Sequence, residues 1–177
     1  MTFTFRRLGI PLLAAAMMSA AIPALAVEYR VAVGDGAGGT QEALGLGFAE
    51  ALAELSDGEM TARLFLNGQL GDEQDTVTAA ATGTLDFSIV AINNITPFSP
   101  SVGTLTPPYV ILSQEDAETV TQGPVGEQMI EQTIEDAGVR IIGWGYSGFR
   151  VLSNSKRPVS SVADLRGLVI RVPSHEI

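Results

Sequence analysis

From residue 29 onward the chain switches repeatedly between two hydrophobic periods, and this alternation leaves it few possible architectures. Tyr29 to Val33 reads as a short strand. Gly34 to Gly39 is a glycine-rich turn, and Thr40 is the candidate N-cap of a helix from Gln41. Along that helix Leu44, Phe48, Leu52 and Leu55 recur at helical spacing, with Glu50 and Glu54 on another face and Asp57-Gly58 as the stop. Met60 to Leu66 is a second strand. Asp72 caps a helix to about Thr82, Gly83 ends it, and Leu85 to Ile92 is an apolar run expected to be a buried strand. Pro97 to Pro108 reads as loop. Helices fit Gln114–Thr121 and Val125–Ala137, the second closed by Gly138. Val139–Trp144, Arg150–Asn154 and Leu168–Val172 read as further strands, with a turn at Val162–Leu165. Strands and helices joined by short links imply an α/β layer fold with a largely parallel sheet.

The first residues follow another logic. Arg6 and Arg7 precede an apolar run from Leu8 to Ile22, and Ala24-Leu25-Ala26 reads as a cleavage site. This is the pattern of a signal peptide over residues 1–26, with the folded part starting at Val27. The apolar run is short for a membrane span, and no stop-transfer charges follow it. Arg6-Arg7 sits in too loose a setting to fix a twin-arginine export route.

Two absences narrow the chemistry. The chain has no cysteine and one histidine, His175. Thiol nucleophiles, cysteine-bound metals and iron–sulfur clusters are excluded, and histidine-based triads or multi-histidine metal sites nearly so. Charge is also unevenly spread. Residues 27–139 hold two basic and eighteen acidic residues, net −16; residues 140–177 hold six basic and two acidic, net +4. Such an acidic chain does not suit nucleic acid.

Gly34-Asp35-Gly36-Ala37-Gly38-Gly39 has the spacing of a dinucleotide fingerprint, between a strand and a helix. That motif also needs an acidic residue at the end of the second strand, where this chain has Leu66-Asn67-Gly68. The same turn can leave room for a bound molecule near a helix N-terminus, whose free N–H groups favour anions. Gly145-Tyr146-Ser147-Gly148 lacks the final glycine of a nucleophile elbow, and the sequon Asn94-Ile95-Thr96 is of a kind common by chance. Arg150 and Arg171 each interrupt an apolar run and must reach water or a carboxylate, for which a guanidinium fork is suited. Trp144, Tyr146 and Phe149 flank the same stretch, as core or as the wall of a pocket.

The stretch from Gly138-Val139-Arg140-Ile141-Ile142-Gly143-Trp144-Gly145-Tyr146-Ser147-Gly148-Phe149-Arg150 through Asp164-Leu165-Arg166-Gly167-Leu168-Val169-Ile170-Arg171-Val172 resembles the solute-binding receptors of tripartite ATP-independent periplasmic (TRAP) transporters, of the C4-dicarboxylate-binding (DctP) type. Gly68-Gln69-Leu70-Gly71-Asp72-Glu73, Gly83-Thr84-Leu85-Asp86-Phe87 and Pro107-Pro108-Tyr109-Val110 match earlier blocks in the same order, so the resemblance covers essentially residues 27–177. It implies a bilobal periplasmic receptor without catalytic residues, cofactor or metal. Its ligand would be a small organic acid and its partners the TRAP membrane subunits. The principal carboxylate-binding position falls on Arg171 and a second ligand-facing arginine on Arg150. Glu73, Asn93, Asn94 and the turn from Asp35 to Gln41 are implied to line the cleft. Family members are much longer, so residues 27–147 are expected to form a near-complete first lobe and residues 148–177 the first strands of a second. The same bilobal physics serves receptors of ATP-driven importers, and an exported enzyme on such a scaffold is a more distant reading.

Overall fold

A computed structural model of the chain describes residues 26–172; the expected signal segment and His175 lie outside them. Strand β1 (Val27–Val33) is the centre of a three-stranded parallel sheet. It pairs with β2 (Met60–Phe65) on one side, from Val27↔Met60 to Ala32↔Phe65. On the other side it pairs with β3 (Phe87–Ile89), from Val31↔Phe87 to Val33↔Ile89. The order is therefore β2-β1-β3. The chain steps one way from β1 and then crosses back over it. Right-handed crossovers then require helix α1 (Thr40–Leu55) and helix α2 (Glu73–Ala81) to lie on opposite faces.

The contacts agree. Leu64 and Ile89 point to one face and Ser88 to the other, by strand alternation and register. Gly45 of α1 lies so close to the first face that an added Cβ would come within 2.8 Å of Leu64 Cδ2 and 3.1 Å of Ile89 Cδ1. Phe48 and Tyr29 meet Phe87 edge-on on that face, at 5.0 and 5.5 Å between ring centres. On the other face Thr76 Oγ1 of α2 is 2.7 Å from Ser88 Oγ. The close approach at Gly45 sets the rotation of α1. Its covered stripe runs through Gln41, Gly45, Phe48 and Leu52, while Leu44 and Leu55 are exposed, against the expected apolar face.

A second core continues from α2. Val77, Ile95, Val102 and Met129 are buried together, with Val90, Phe98, Val139 and Trp144 packed against them. This joins α3 (Ile92–Ile95), the 3-10 turn Pro100–Leu105 and α5 (Pro124–Ala137), and α4 (Gln114–Thr121) packs on α5.

Several expectations are met and several are corrected. Asp72 caps α2 through a capping box with Asp75, and Gly138 closes α5 in the left-handed region at φ 69°. Thr40 is not a cap: Gly39 holds that position without a side-chain bond. The run from Leu85 to Ile92 is a strand only over Phe87–Ile89, because β1 offers it three pairing positions before the chain turns into α3. Residues 139–144, 150–154 and 168–172 form no strands among the described residues. A strand needs a neighbour to complete its ladder, and here none is paired with them. The apolar side chains of 150–154 and 168–172 stand largely exposed, as Val151 and Val169 do, whereas Val139, Ile141 and Trp144 pack against the core.

Candidate functional site

In an open parallel sheet, the crevice lies beyond the carboxyl ends of the strands, where the strand order reverses. Order β2-β1-β3 puts that point at the ends of β1 and β3. A cavity of about 640 Å³ is found there. Gly34 and Asp35 after β1, Asn67 to Glu73 after β2, and Asn93 and Asn94 after β3 supply its walls, and Arg150 and Arg171 complete it from the later segments. Five of the seven expected site residues are therefore brought together: Glu73, Asn93, Asn94, Arg150 and Arg171.

Glu73 is the hub of the acidic wall. Its Oε1 accepts from Gln41 Nε2 at 2.8 Å, and its Oε2 accepts from the Ala91 N–H at 2.6 Å and Asn94 Nδ2 at 2.7 Å. Gln41 is thus behind the wall, not on it. Its own Oε1 accepts the N–H groups of Gly34 and Asp35, at 2.9 and 3.1 Å. The ends of β1 and β3 are thus tied to one carboxylate on the helix that follows β2. From Asn94 the network continues: Asn93 Nδ2 donates to Asn94 Oδ1 at 3.3 Å, and Arg150 donates to Asn93 Oδ1 at 3.2 Å. Among the described residues Arg171 makes no hydrogen bond or ion pair, and it is exposed on the cavity.

The glycine spacing has a structural cause here. A Cβ on Gly34 would come within 2.6 Å of Glu73 Oε1; one on Gly36, within 2.8 Å of Asn67 Oδ1; one on Gly39, within 2.6 Å of Asp35 Cβ. The glycines make room for this chain's own polar side chains. The start of α1 is likewise already served by carboxylates. Asp35 Oδ2 accepts the Gln41 N–H at 3.1 Å and Glu42 Oε2 the Gly38 N–H at 2.5 Å. The anion favoured by that helix end comes from the protein.

Trp144 is not on the cavity. Its ring packs against the core of Val77, Ile95, Val102 and Met129, and its buried Nε1 has no partner among the described residues. Sequence reasoning passed over Asn67, whose backbone takes the left-handed conformation (φ 56°) and donates to Asp35 O at 2.9 Å. The Asn-Gly pair after a strand was the available signal. Arg157 bonds the carbonyls of Asp164 and Arg166. Asp164 takes the Ser161 hydroxyl and the N–H groups of Ser160 and Ser161, which hold its carboxyl below the usual carboxylate range.

Comparison with known proteins bears on this site. Residues 38–177 match the family described as bacterial extracellular solute-binding protein, family 7 (DctP). A solute-binding protein of Roseobacter denitrificans is 38% identical over 127 residues, 72% of this chain and 38% of that protein. The 2,3-diketo-L-gulonate-binding periplasmic protein of Escherichia coli is 31% identical over 124 residues, 70% of this chain and again 38% of the relative. The chain thus spans well under half the length of these relatives. The R. denitrificans protein, in a crystal structure with bound L-galactonate, superposes at a TM-score of 0.70 with 28% identity, over 84% of this chain and 49% of that one. A sugar acid binding protein of Advenella mimigardefordensis in complex with galactonate reaches 0.79 with 25% identity, over 85% and 48%.

Proposed function

The chain belongs to family 7 of the bacterial extracellular solute-binding proteins, and from this premise we propose that it is the ligand-gripping part of a periplasmic TRAP receptor for a small organic acid. Residues 27–147 form the first lobe and residues 148–172 begin the second. The acid's carboxylate pairs with the Arg171 guanidinium, and Arg150 seconds it. Glu73, Asn94 and Asn93 face the rest of the molecule, with Gln41 bracing Glu73 from behind. Sugar acids, the compounds bound by the R. denitrificans and A. mimigardefordensis proteins, are the first candidates. Delivery to membrane subunits follows closure, since a ligand touching both lobes favours the state in which they meet.

One observation carries the reading: two arginines from the later segments share a cavity with a carboxylate hub at the carboxyl ends of the strands. A guanidinium fork matches a carboxylate bidentately. Among the described residues no carboxylate of the protein pairs with either arginine. A charge-assisted hydrogen bond contributes about 1.5–3 kcal/mol, so Arg171→Ala weakens binding roughly tenfold to a hundredfold. Calorimetry on the full-length receptor with galactonate and glucuronate tests this. Unchanged affinity in the variant would remove Arg171 from the site, and no binding of any organic acid would end the reading.

A further inference from the structure

We infer that Glu73 and its acidic neighbours set the charge of the acceptable ligand, so that the cavity takes an acid with one carboxylate and a hydroxyl-bearing tail and rejects diacids. This rests on the organic-acid reading above and adds its substrate class.

The cavity is electrically two-sided. Its lining cations are Arg150 and Arg171, both from the later segments. The lining groups from the strand ends include three carboxylates, Asp35, Asp72 and Glu73, beside the neutral amides of Asn67, Gln74, Asn93 and Asn94. Among the described residues, once one carboxylate of a ligand meets the arginines, a second at its other end has no further lining cation to pair with and faces like charge. Such juxtaposition is a strong means of excluding wrong partners.

The wall cannot easily turn to suit a diacid. Three donors of this wall already point at Glu73, namely Gln41 Nε2, Asn94 Nδ2 and the Ala91 N–H, and the neutral amides of Asn67 and Gln74 bring no positive charge to balance a second carboxylate. A carboxylate offers about four lone-pair positions. Three are filled, so Glu73 presents an acceptor and its negative charge to the cavity. A ligand hydroxyl can donate there; a carboxylate cannot. Asp35 and Asp72 are fixed in the same way, by the Gln41 N–H at 3.1 Å and the Asp75 N–H at 2.9 Å.

The test is a matched pair of ligands on the full-length receptor, by calorimetry. Galactonate and galactarate share six carbons and four hydroxyl-bearing centres, and differ in whether the far end is an alcohol or a carboxylate. Galactarate is expected to bind at least roughly tenfold more weakly, the scale of one uncompensated charge contact. Asp72→Asn keeps a good N-cap while removing one charge, and should narrow the gap severalfold. Glu73→Gln should narrow it further, though its amide must face that of Gln41, so the wild-type pair and Asp72→Asn decide if that variant folds poorly. Equal or tighter binding of galactarate overturns the inference, as does a gap that neither variant changes. A receptor that ignores both sugar acids but binds succinate also overturns it and leaves the organic-acid reading intact. One that binds no organic acid overturns both.

Discussion

Glu73 and Arg171 face the same cavity but are held in opposite ways. Three donors, from Gln41 of α1 and from Ala91 and Asn94 after β3, fix the carboxylate, whereas the guanidinium has no protein partner among the described residues. The acidic wall is built on the segments that follow the three strands and is held by their own hydrogen bonds. The basic wall is carried by segments whose backbone ladders lie open. Hydrogen bonding is thus concentrated on the acidic side of the cavity and sparse on the basic side. A group already satisfied by its own fold discriminates, while an unsatisfied one gains most from the ligand's arrival.

The most severe way to break that contrast is to remove the hub. Glu73→Ala leaves the Gln41 and Asn94 amides and the Ala91 N–H without their acceptor, and should destabilise the fold by about 3 kcal/mol, read as a drop in denaturation midpoint. Gly34→Ala attacks the same point by intrusion, since its Cβ meets Glu73 Oε1; overpacking of this kind costs about 2 kcal/mol. The two changes should not add. With Glu73 shortened the intruding methyl has space, so a double-mutant cycle should return a coupling of about 1 kcal/mol or more. Additive values would mean that the glycine serves something other than this carboxylate. A gentler cut is Asn93→Ala, which frees Arg150 from its tether. Affinity for an organic acid should fall severalfold, about 1 kcal/mol, with little change in melting temperature.

The smallest effect concerns the turn between the later segments. Asp164 titrates below its ordinary value of 3.8 because Ser161 and the neighbouring N–H groups bond its charged form. A depressed folded-state value means that the contribution is present above the unfolded value and is lost as pH falls through the folded one. Acidification below about pH 4 should therefore loosen the 160–166 turn while the neutral Thr76–Ser88 contact persists, as amide chemical shifts of Ser160 and Ser161 would report.

Local chemistry made much of the sheet and its helices readable from sequence. Asp72 with Asp75 three residues on, Gly83 and Gly138 each mark a helix end by a rule acting within a few residues. What could not be read depended on distant partners. Leu85–Ile92 looks like one strand, yet β1 pairs with three of its residues and Glu73 accepts the N–H of Ala91. Residues 150–154 and 168–172 have strand-like composition, but composition does not supply a neighbour. The cavity arginines stood out as charges interrupting apolar runs, and the resemblance gave them their roles; Glu73 was found through the resemblance alone. Taken alone, Glu73 looks like an ordinary acidic residue in the first turn of a helix. Trp144, judged by its neighbours in sequence, could be wall or core, and packing placed it in the core.

The bond from Arg150 to Asn93 has a consequence for binding. A guanidinium carries five N–H donors, and this contact engages one nitrogen. An incoming anion therefore need not evict the asparagine. It meets a side chain whose torsions are already narrowed, and part of the roughly 2 kcal/mol of rotamer entropy that a free arginine carries was surrendered when the chain folded, before any solute arrived.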